Sequence, residues 1–359
     1  MSLVSLFRDE LREQAAYHPK EGRYAVRLDA NEAPPFWSEG ARRRFADVLL
    51  GASLTRYPDT RHAALKAAIG RRFGGEADEL TLGCGSDELI ANLLVAVAKA
   101  TGRNGTSVVS LSPSFVMYRI SARVRGLNVI EVPLDAHWEV SLPSLERALE
   151  YARPAVVFVA TPNNPTGTCV SEDQAAALAT LAAESLVVFD EAYGLFAEQD
   201  LSRVRASFPN VLTMGTLSKI GLAGARIGFL RGPGELIAEL EKVRQPYNLP
   251  SASQLVAVAA LDEHFDEILE MRARIVAERA RLTLVLSAMG CVVTPSEANF
   301  LWVRTRRPAG EVWEGLASRG VLVRSFHERG GRLAHQLRVT IGEKADNDAF
   351  LDALAAVEP

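Results

Sequence analysis

Short apolar runs alternate with longer stretches of helical spacing between residues 40 and 250. Several runs are apolar throughout rather than at every second position, which is typical of strands buried on both faces of a parallel sheet. Residues 171–184 begin with a serine followed by acidic residues, a common start of a helix. Strands that alternate with helices predict an α/β fold. The predicted strands are residues 108–111, 129–132, 155–160, 186–189 and 211–214.

The pattern changes after about residue 250. Residues 253–289 form a long, charge-rich helical region, and the chain after it predicts a smaller α+β domain. That domain has apolar runs at residues 299–303, 321–324 and 337–341 and a helix around residues 310–319. The first 35 residues are broken by prolines around a short helical stretch at 6–16. We therefore predict an arm (1–35) that packs with the small domain (251–359), and a large domain (36–250) with a mostly parallel sheet between helices.

The composition argues against several classes of function. The chain has 40 basic and 44 acidic residues and 48% apolar residues, so it lacks the charge signature of nucleic-acid or membrane-surface binding. Cys84, Cys169 and Cys291 are too widely spaced for a zinc site and are expected to be free thiols. Arg8 comes too early for a secretory signal, and no apolar run reaches the ~18–20 residues that cross a bilayer. We expect a cytoplasmic protein without a metal.

A loop rich in glycine and hydroxyl side chains follows the last predicted strand of the large domain, at residues 215–226. Its lysine, Lys219, can form an imine with an aldehyde cofactor. Ser218 and Arg226 can bind the phosphate of such a cofactor, the arginine through its guanidinium fork. A glycine-rich loop with a solvent-exposed lysine is the alternative interpretation of this segment alone.

Three other polar segments lie where ligands would bind at the ends of parallel strands. Asp190 could face the pyridine nitrogen of a pyridoxal cofactor, although capping a helix is a commoner role for such an aspartate. Tyr193 could donate to the ring oxygen. Asn164 could also face the ring, although residues 161–167 could equally form a simple turn. Residues 83–90 run from a glycine-rich loop into an apolar helix, whose first N–H groups can bind an anion.

In this order, the segments resemble those of the fold-type I aminotransferases that depend on pyridoxal phosphate (PLP), and within them the histidinol-phosphate aminotransferase family. The resemblance covers essentially the whole chain and implies that residues 36–250 form a PLP-binding domain. It is most specific in residues 164–167, in Asp190 with Tyr193, and in Ser218–Lys219 with Arg226. Other matching segments are residues 28–32, 56–59, 112–118, 296–300 and 337–342.

The resemblance implies a role for each residue that matches the family's cofactor site. Lys219 would form the Schiff base and act as general acid and base, Asp190 would face the pyridine nitrogen, and Tyr193 would hydrogen-bond the ring oxygen. Tyr57 would reach the cofactor phosphate of a neighbouring subunit, which implies a homodimer that shares this residue across its interface. The other implied contacts are Asn164 at the ring oxygen, Phe115 on the ring face, and Ser86, Asp87, Ser218 and Arg226 at the phosphate.

Substrate contacts are implied as well. Arg338 matches an arginine that holds the substrate's anion, and a guanidinium can bind either the carboxylate of glutamate or the phosphate of histidinol phosphate. Arg324 and Tyr17 are candidates at the phosphate end, with ordinary surface positions as an equal alternative. Asn31, in a matching segment near the start, is a further candidate substrate contact.

Several functions fit these motifs. We expect transamination between L-histidinol phosphate and 2-oxoglutarate, in histidine biosynthesis, with small molecules as the partners. An aminotransferase for aromatic amino acids and a PLP lyase similar to the threonine-phosphate decarboxylases are alternatives, because relatives of both kinds share most of the motifs. A PLP-binding regulator is disfavoured, because no DNA-binding domain precedes residue 40 and every catalytic position is filled.

Overall fold

The computed structural model describes residues 3–7, 11, 22–99 and 105–358. In this part of the chain the strands form two separate sheets. In chain order the strands are β1 (Val26–Leu28), β2 (Leu80–Cys84), β3 (Ser107–Ser112), β4 (Asn128–Pro133), β5 (Val156–Ala160), β6 (Leu186–Asp190), β7 (Val211–Thr216), β8 (Ile227–Arg231), β9 (Val292–Thr294), β10 (Phe300–Arg304), β11 (Val321–Ser325) and β12 (Gln336–Thr340). The α-helices are α1 (Glu39–Leu50), α2 (Ala63–Phe73), α3 (Gly85–Val97), α4 (Val116–Arg123), α5 (Leu142–Ala152), α6 (Glu172–Leu181), α7 (Ser202–Ser207), α8 (Gly234–Glu241), α9 (Ser251–Glu263), α10 (Phe265–Ala288), α11 (Ala309–Ser318) and α12 (Lys344–Val357).

The larger sheet has the strand order β2-β8-β7-β6-β5-β3-β4. All neighbours from β7 to β4 are parallel, whereas β8 is antiparallel to both β2 and β7. Helices cover both faces. Val157 and Val159 of β5 belong to the apolar cluster that includes α5 and α6, while Val156 and Phe158 belong to the cluster that includes α3 and α4. The predicted strands are confirmed as β3 to β7, and the predicted α/β class is confirmed.

Two strands of this sheet, β2 and β8, were not predicted, because each contains a glycine that weakens the strand pattern. Gly83 and Gly228 face each other in the register of the two strands. A Cβ atom on Gly228 would lie 2.5 Å from the carbonyl carbon of Gly85, where α3 begins. The close approach of α3 to the sheet therefore requires a glycine at residue 228, although strands usually carry larger side chains.

The smaller sheet has the strand order β1-β11-β12-β10-β9. Strand β1 is parallel to β11, and the other neighbours are antiparallel. Helices α10, α11 and α12 pack against this sheet. Residues 26–28 of the predicted arm thus pair with the small sheet. Most of the helix predicted at residues 6–16 lies outside the described residues.

The helical region predicted at residues 253–289 consists of two helices, α9 and α10, which meet at His264. Neither glycine nor proline marks the break. The His264 ring packs edge-on against Phe45 of α1, with ring centroids 5.9 Å apart, and its Nδ1 lies 3.1 Å from Glu267 Oε1. Contacts with a distant helix therefore accompany a break that the local sequence does not indicate.

One apolar core continues from the helices beside the large sheet into the small sheet. Leu65 of α2, Leu261 of α9, Ile268 of α10 and Phe300 of β10 all belong to it. Helix α9 packs against α1 and α2. The boundaries predicted at residues 35 and 250 stay a prediction. None of the described helices combines the length and apolar character needed to cross a lipid bilayer.

Candidate active site

A cavity of about 680 Å³ opens where β5, β6 and β7 end, next to the small sheet. The last residues of these three strands, Ala160, Asp190 and Thr216, line it. This is the usual ligand position in a parallel sheet. The predicted site residues that also line it are Asn31, Ser86, Asp87, Phe115, Asn164, Tyr193, Ser218, Lys219, Arg226, Arg324 and Arg338.

Tyr57 is a predicted site residue that does not line this cavity. Its side chain is 79% exposed and stacks on Tyr247, with ring centroids 4.4 Å apart. The predicted role of Tyr57 in another subunit's site stays a prediction. Tyr17 lies outside the described residues, and its role stays a prediction too.

A buried carboxylate lines the cavity at the end of β6. Asp190 is 4% exposed; its Oδ1 accepts from the Ala192 N–H at 3.0 Å, and its Oδ2 accepts from the Tyr118 hydroxyl at 2.6 Å. Burial raises the pKa of Asp190 to about 6, because the two hydrogen bonds offset the loss of water only in part. A cation placed against this carboxylate would favour its charged form.

Tyr118 contacts Asp190, a role that the sequence alone does not indicate. It is fully buried, and its ring stacks on Phe158 with centroids 4.6 Å apart and an interplanar angle of 4°. It lies three residues after Phe115, one helical turn, and the two ring centroids are 5.5 Å apart. That spacing is visible in the sequence, but only the fold shows that this side of α4 meets the end of β6. Burial, followed by the neighbouring Asp190 charge, raises the pKa of Tyr118 well above its ordinary value, which keeps the hydroxyl protonated.

Lys219 lies in a short 3-10 turn directly after β7. Thr216 caps this turn by accepting a hydrogen bond from the Ser218 N–H at 3.1 Å. The lysine is half-buried; its Nζ lies 3.4 Å from the Ala30 carbonyl oxygen and 6.0 Å from the centroid of the Tyr193 ring. The amine therefore lies within the cavity, which disfavours the alternative of a loop lysine directed to solvent.

The side chain of Asn31 is held by protein partners. Its Nδ2 donates to the Tyr193 Oη at 2.9 Å, and its Oδ1 accepts from the Thr340 hydroxyl at 2.9 Å. Asn31 thus positions Tyr193, and the predicted substrate contact of Asn31 stays a prediction. Because the Tyr193 oxygen accepts from Asn31, its own O–H remains able to donate into the cavity.

The start of α3 lies beside the Arg226 guanidinium, an arrangement suited to binding an anion. Ser86 and Asp87 lie in the first turn of α3, where backbone N–H groups have no helical partner. Arg226 Nη2 lies 3.4 Å from Asp87 Oδ2, and Ser218 lines the same cavity. Gly85 has a φ of +74°, and a Cβ there would lie 2.5 Å from Arg226 Nη2. Glycine therefore lets the guanidinium approach the helix N-terminus.

Two arginines of the small sheet lie at another part of the cavity wall. Arg324 and Arg338 are directly opposite each other in the register of β11 and β12, so both side chains lie on one face of the sheet. Arg338 is buried and donates from Nη1 to Asn164 Oδ1 at 2.6 Å and from Nη2 to the Asp29 carbonyl oxygen. Because arginine has no acceptor, this contact directs the Asn164 amide oxygen to Arg338 and its NH₂ group elsewhere. Two adjacent positive charges favour an anion here.

Comparisons with known proteins agree with this geometry. Residues 24–354 match the family model described as aminotransferase class I and II. The chain is 39% identical over 353 residues to histidinol-phosphate aminotransferase 2 of Nitrosococcus oceani, covering 97% of this chain and 96% of the relative. It is 40% identical over 361 residues to histidinol-phosphate aminotransferase 1 of Ralstonia nicotianae, covering 99% and 95%.

The fold is shared with solved structures. One is the histidinol-phosphate aminotransferase of Sinorhizobium meliloti in complex with pyridoxal-5'-phosphate, with a TM-score of 0.87, 24% identity and coverage of 98% of this chain and 97% of that chain. A variant of Thermus thermophilus aspartate aminotransferase has a TM-score of 0.81, 23% identity and coverage of 98% and 99%. The chain belongs to the class I and II aminotransferases and, within them, to the histidinol-phosphate aminotransferase family. It is a PLP-dependent aminotransferase.

The residues of the cavity fit this cofactor. A buried carboxylate, Asp190, suits a protonated pyridine nitrogen. The Lys219 amine lies within the same cavity. The N-terminus of α3 with Arg226 suits a phosphate, and the room for it depends on the missing Cβ of Gly85. The buried carboxylate, the amine and the anion-binding helix end are therefore three features that PLP requires.

Proposed function

We propose that the chain transfers the amino group of L-histidinol phosphate to 2-oxoglutarate, giving imidazole-acetol phosphate and glutamate, in histidine biosynthesis. The observation that carries this proposal is the opposed pair Arg324 and Arg338 in the wall of the cavity. Histidinol phosphate has a phosphate and no carboxylate, whereas 2-oxoglutarate has carboxylates. A guanidinium binds either anion. One arginine pair can therefore serve both half-reactions, and the names of the relatives support the same substrate.

The cofactor-holding roles follow from the positions in the cavity. Bound PLP supplies an electron sink for the negative charge that develops at the carbon bearing the amino group. Asp190 would face the pyridine nitrogen and favour its protonated form. The Asn164 NH₂ group and the Tyr193 O–H are the two donors suited to the ring oxygen. Phe115 would cover the ring, and the phosphate would bind at Ser86, Asp87, Ser218 and Arg226.

Lys219 would have two tasks. It would hold the cofactor covalently, and its Nζ, once free, would take up the proton from the amino-bearing carbon and return it to the cofactor side. Its half-buried position places the amine inside the cavity, where protein groups replace part of the water. Arg338 would hold the substrate's anionic end while this transfer takes place.

We also propose that the chain acts as a cytoplasmic homodimer in which Tyr57 reaches the partner's phosphate site. The exposure of Tyr57 supports this, because a large aromatic ring that is 79% exposed is available to another subunit. Lys219→Ala and Tyr57→Ala subunits, each poorly active alone, should regain activity when mixed under conditions that exchange subunits. No recovery in verified mixed dimers would contradict a shared site.

The reaction is tested by a single half-reaction. Purified enzyme loaded with PLP is mixed with L-histidinol phosphate without a keto acid, and the absorbance of the bound cofactor is followed. Conversion to the pyridoxamine form that 2-oxoglutarate reverses would support the proposal. Conversion by phenylalanine or tyrosine but not by histidinol phosphate would favour an aromatic aminotransferase, and carbon dioxide release from threonine phosphate would favour the lyase.

A further inference from the structure

We propose that Tyr118 is a positioning residue for the cofactor: its hydroxyl orients the Asp190 carboxylate and favours its charged form. This inference rests on the proposed contact between Asp190 and the pyridine nitrogen. The structure provides the geometry directly, since the Tyr118 hydroxyl donates to Asp190 Oδ2 at 2.6 Å. Tyr118 acts through Asp190 rather than on the reacting atoms.

The surroundings of Tyr118 leave its hydroxyl little freedom. Its ring stacks on Phe158 and meets the Phe115 ring at an interplanar angle of 84°. Phe115 is also the residue proposed to cover the cofactor ring. Tyr118 thus contacts both Phe115, which is proposed to cover the cofactor ring, and Asp190, which is proposed to face the ring nitrogen.

The hydroxyl matters because the two oxygens of Asp190 have different donors. The backbone N–H of Ala192 serves Oδ1, and Tyr118 serves Oδ2. Without the hydroxyl, a buried carboxylate oxygen would lose a donor in a place where burial already disfavours the charge. Asp190 would then bind its proton more tightly and present less negative charge to a pyridinium.

The acidic groups around Asp190 add to that loss. Asp87 of α3 and Glu191, the next residue in the chain, disfavour a negative charge on Asp190. Tyr193 lies near Tyr118, and Lys219 lines the same cavity. The Tyr118 hydroxyl is therefore a close side-chain donor acting against burial and like charge.

The test is a double-mutant cycle on cofactor binding. Pyridoxamine phosphate is the probe, because it has no aldehyde to react with Lys219, and its Kd is measured by calorimetry on the full-length, cofactor-free protein. Tyr118→Phe should weaken binding about tenfold at pH 5, because its Asp190 holds a proton more tightly, and much less at pH 8, where the carboxylate is already ionised in both proteins. Asp190→Asn should weaken binding at least as much. In the Asp190→Asn background, Tyr118→Phe should change the Kd by about twofold or less, because its effect acts through the charge.

The pH dependence of the affinity gives a second measurement, which altered packing alone would not change. Affinity should fall as Asp190 takes up a proton, and in Tyr118→Phe this fall should begin about one pH unit higher. Phe158→Leu is the matched control, since it loosens the ring stack but keeps the hydroxyl, and its fall should begin at the wild-type pH.

The outcomes separate this inference from the proposed function. If Asp190→Asn binds the probe like wild type, the proposed contact of Asp190 with the cofactor is wrong. If Asp190→Asn is weak but Tyr118→Phe binds like wild type at pH 5, or is equally harmful in both backgrounds, the role of Tyr118 is wrong. If Tyr118→Phe does not fold, Tyr118→Leu and Phe158→Leu in the same cycle decide: equal losses from both would overturn the inference.

Discussion

Replacing Asp190 by asparagine should stabilise the cofactor-free protein while it weakens cofactor binding. The carboxylate is buried at the end of β6, and burial raises its pKa from 3.8 to about 6. A raised carboxyl pKa means that the folded state disfavours the charge. The penalty is fully present above the folded pKa and disappears as the pH falls through the unfolded value.

The size of the effect follows from that shift. Two pKa units correspond to about 3 kcal/mol of unfolding free energy at pH 8. Asparagine removes the charge but turns one donor toward the Tyr118 hydroxyl or the Ala192 N–H, which costs about 1 kcal/mol. The net gain at pH 8 should be about 2 kcal/mol. By pH 4 only about 0.5 kcal/mol of the charge penalty remains, and the variant should be about 0.5 kcal/mol less stable than wild type.

Urea unfolding of both proteins without cofactor, at one protein concentration and at several pH values, measures this difference. Saturating PLP should reverse the order at pH 8, because the ligand stabilises the protein that binds it more tightly. A variant less stable than wild type by the same amount at every pH would refute the account, since geometry rather than charge burial would then dominate.

Three further predictions concern the other ends of the cavity. Lys219→Ala should lower turnover by about 10³-fold or more and remove the absorbance of lysine-linked cofactor; turnover near wild type would contradict the central role of this amine. Arg338→Lys should weaken the binding of both histidinol phosphate and 2-oxoglutarate about tenfold, because the guanidinium fork is lost. The KM of each substrate measures this effect, and a rise in only one of the two would contradict a shared anion site. Gly85→Ala should weaken PLP binding at least about tenfold by displacing the nearby Arg226 guanidinium, whereas Gly224→Ala, where a Cβ meets nothing within 4 Å, should bind PLP normally.

Much of the fold was predictable because the central strands are buried on both faces and are therefore continuously apolar. Strands β5 to β7 follow from that pattern, whereas β4 is the edge strand and is only partly buried. Strands β2 and β8 do not, since Gly83 and Gly228 serve a close backbone approach that is visible only in three dimensions. The break at His264 depends on a ring contact with Phe45, more than two hundred residues earlier in the chain.

Some residues of the candidate site were predictable from the sequence, and others were not. Lys219, Asp190 and Arg226 lie after strands or in short loops, where the type of residue alone suggests chemistry. Tyr118 lies inside a helix as an apparent core residue, and its hydroxyl acquires a partner only when the fold places it at the end of β6. Asn31 shows the opposite case: its segment was recognised, but the partners of its amide depend on where β12 places Thr340.

The apolar core shared by α2, α9, α10 and the small sheet affects how the chain folds during synthesis. Leu65 and Ile69 of α2 are buried in a cluster whose other members include Leu261 and Phe300. Contacts between such distant parts of a chain form late, because the intervening residues must be synthesised first. Until α9 leaves the ribosome, the apolar side of α2 lacks its native cover and is open to aggregation or to a chaperone. The first 250 residues cannot complete this core on their own.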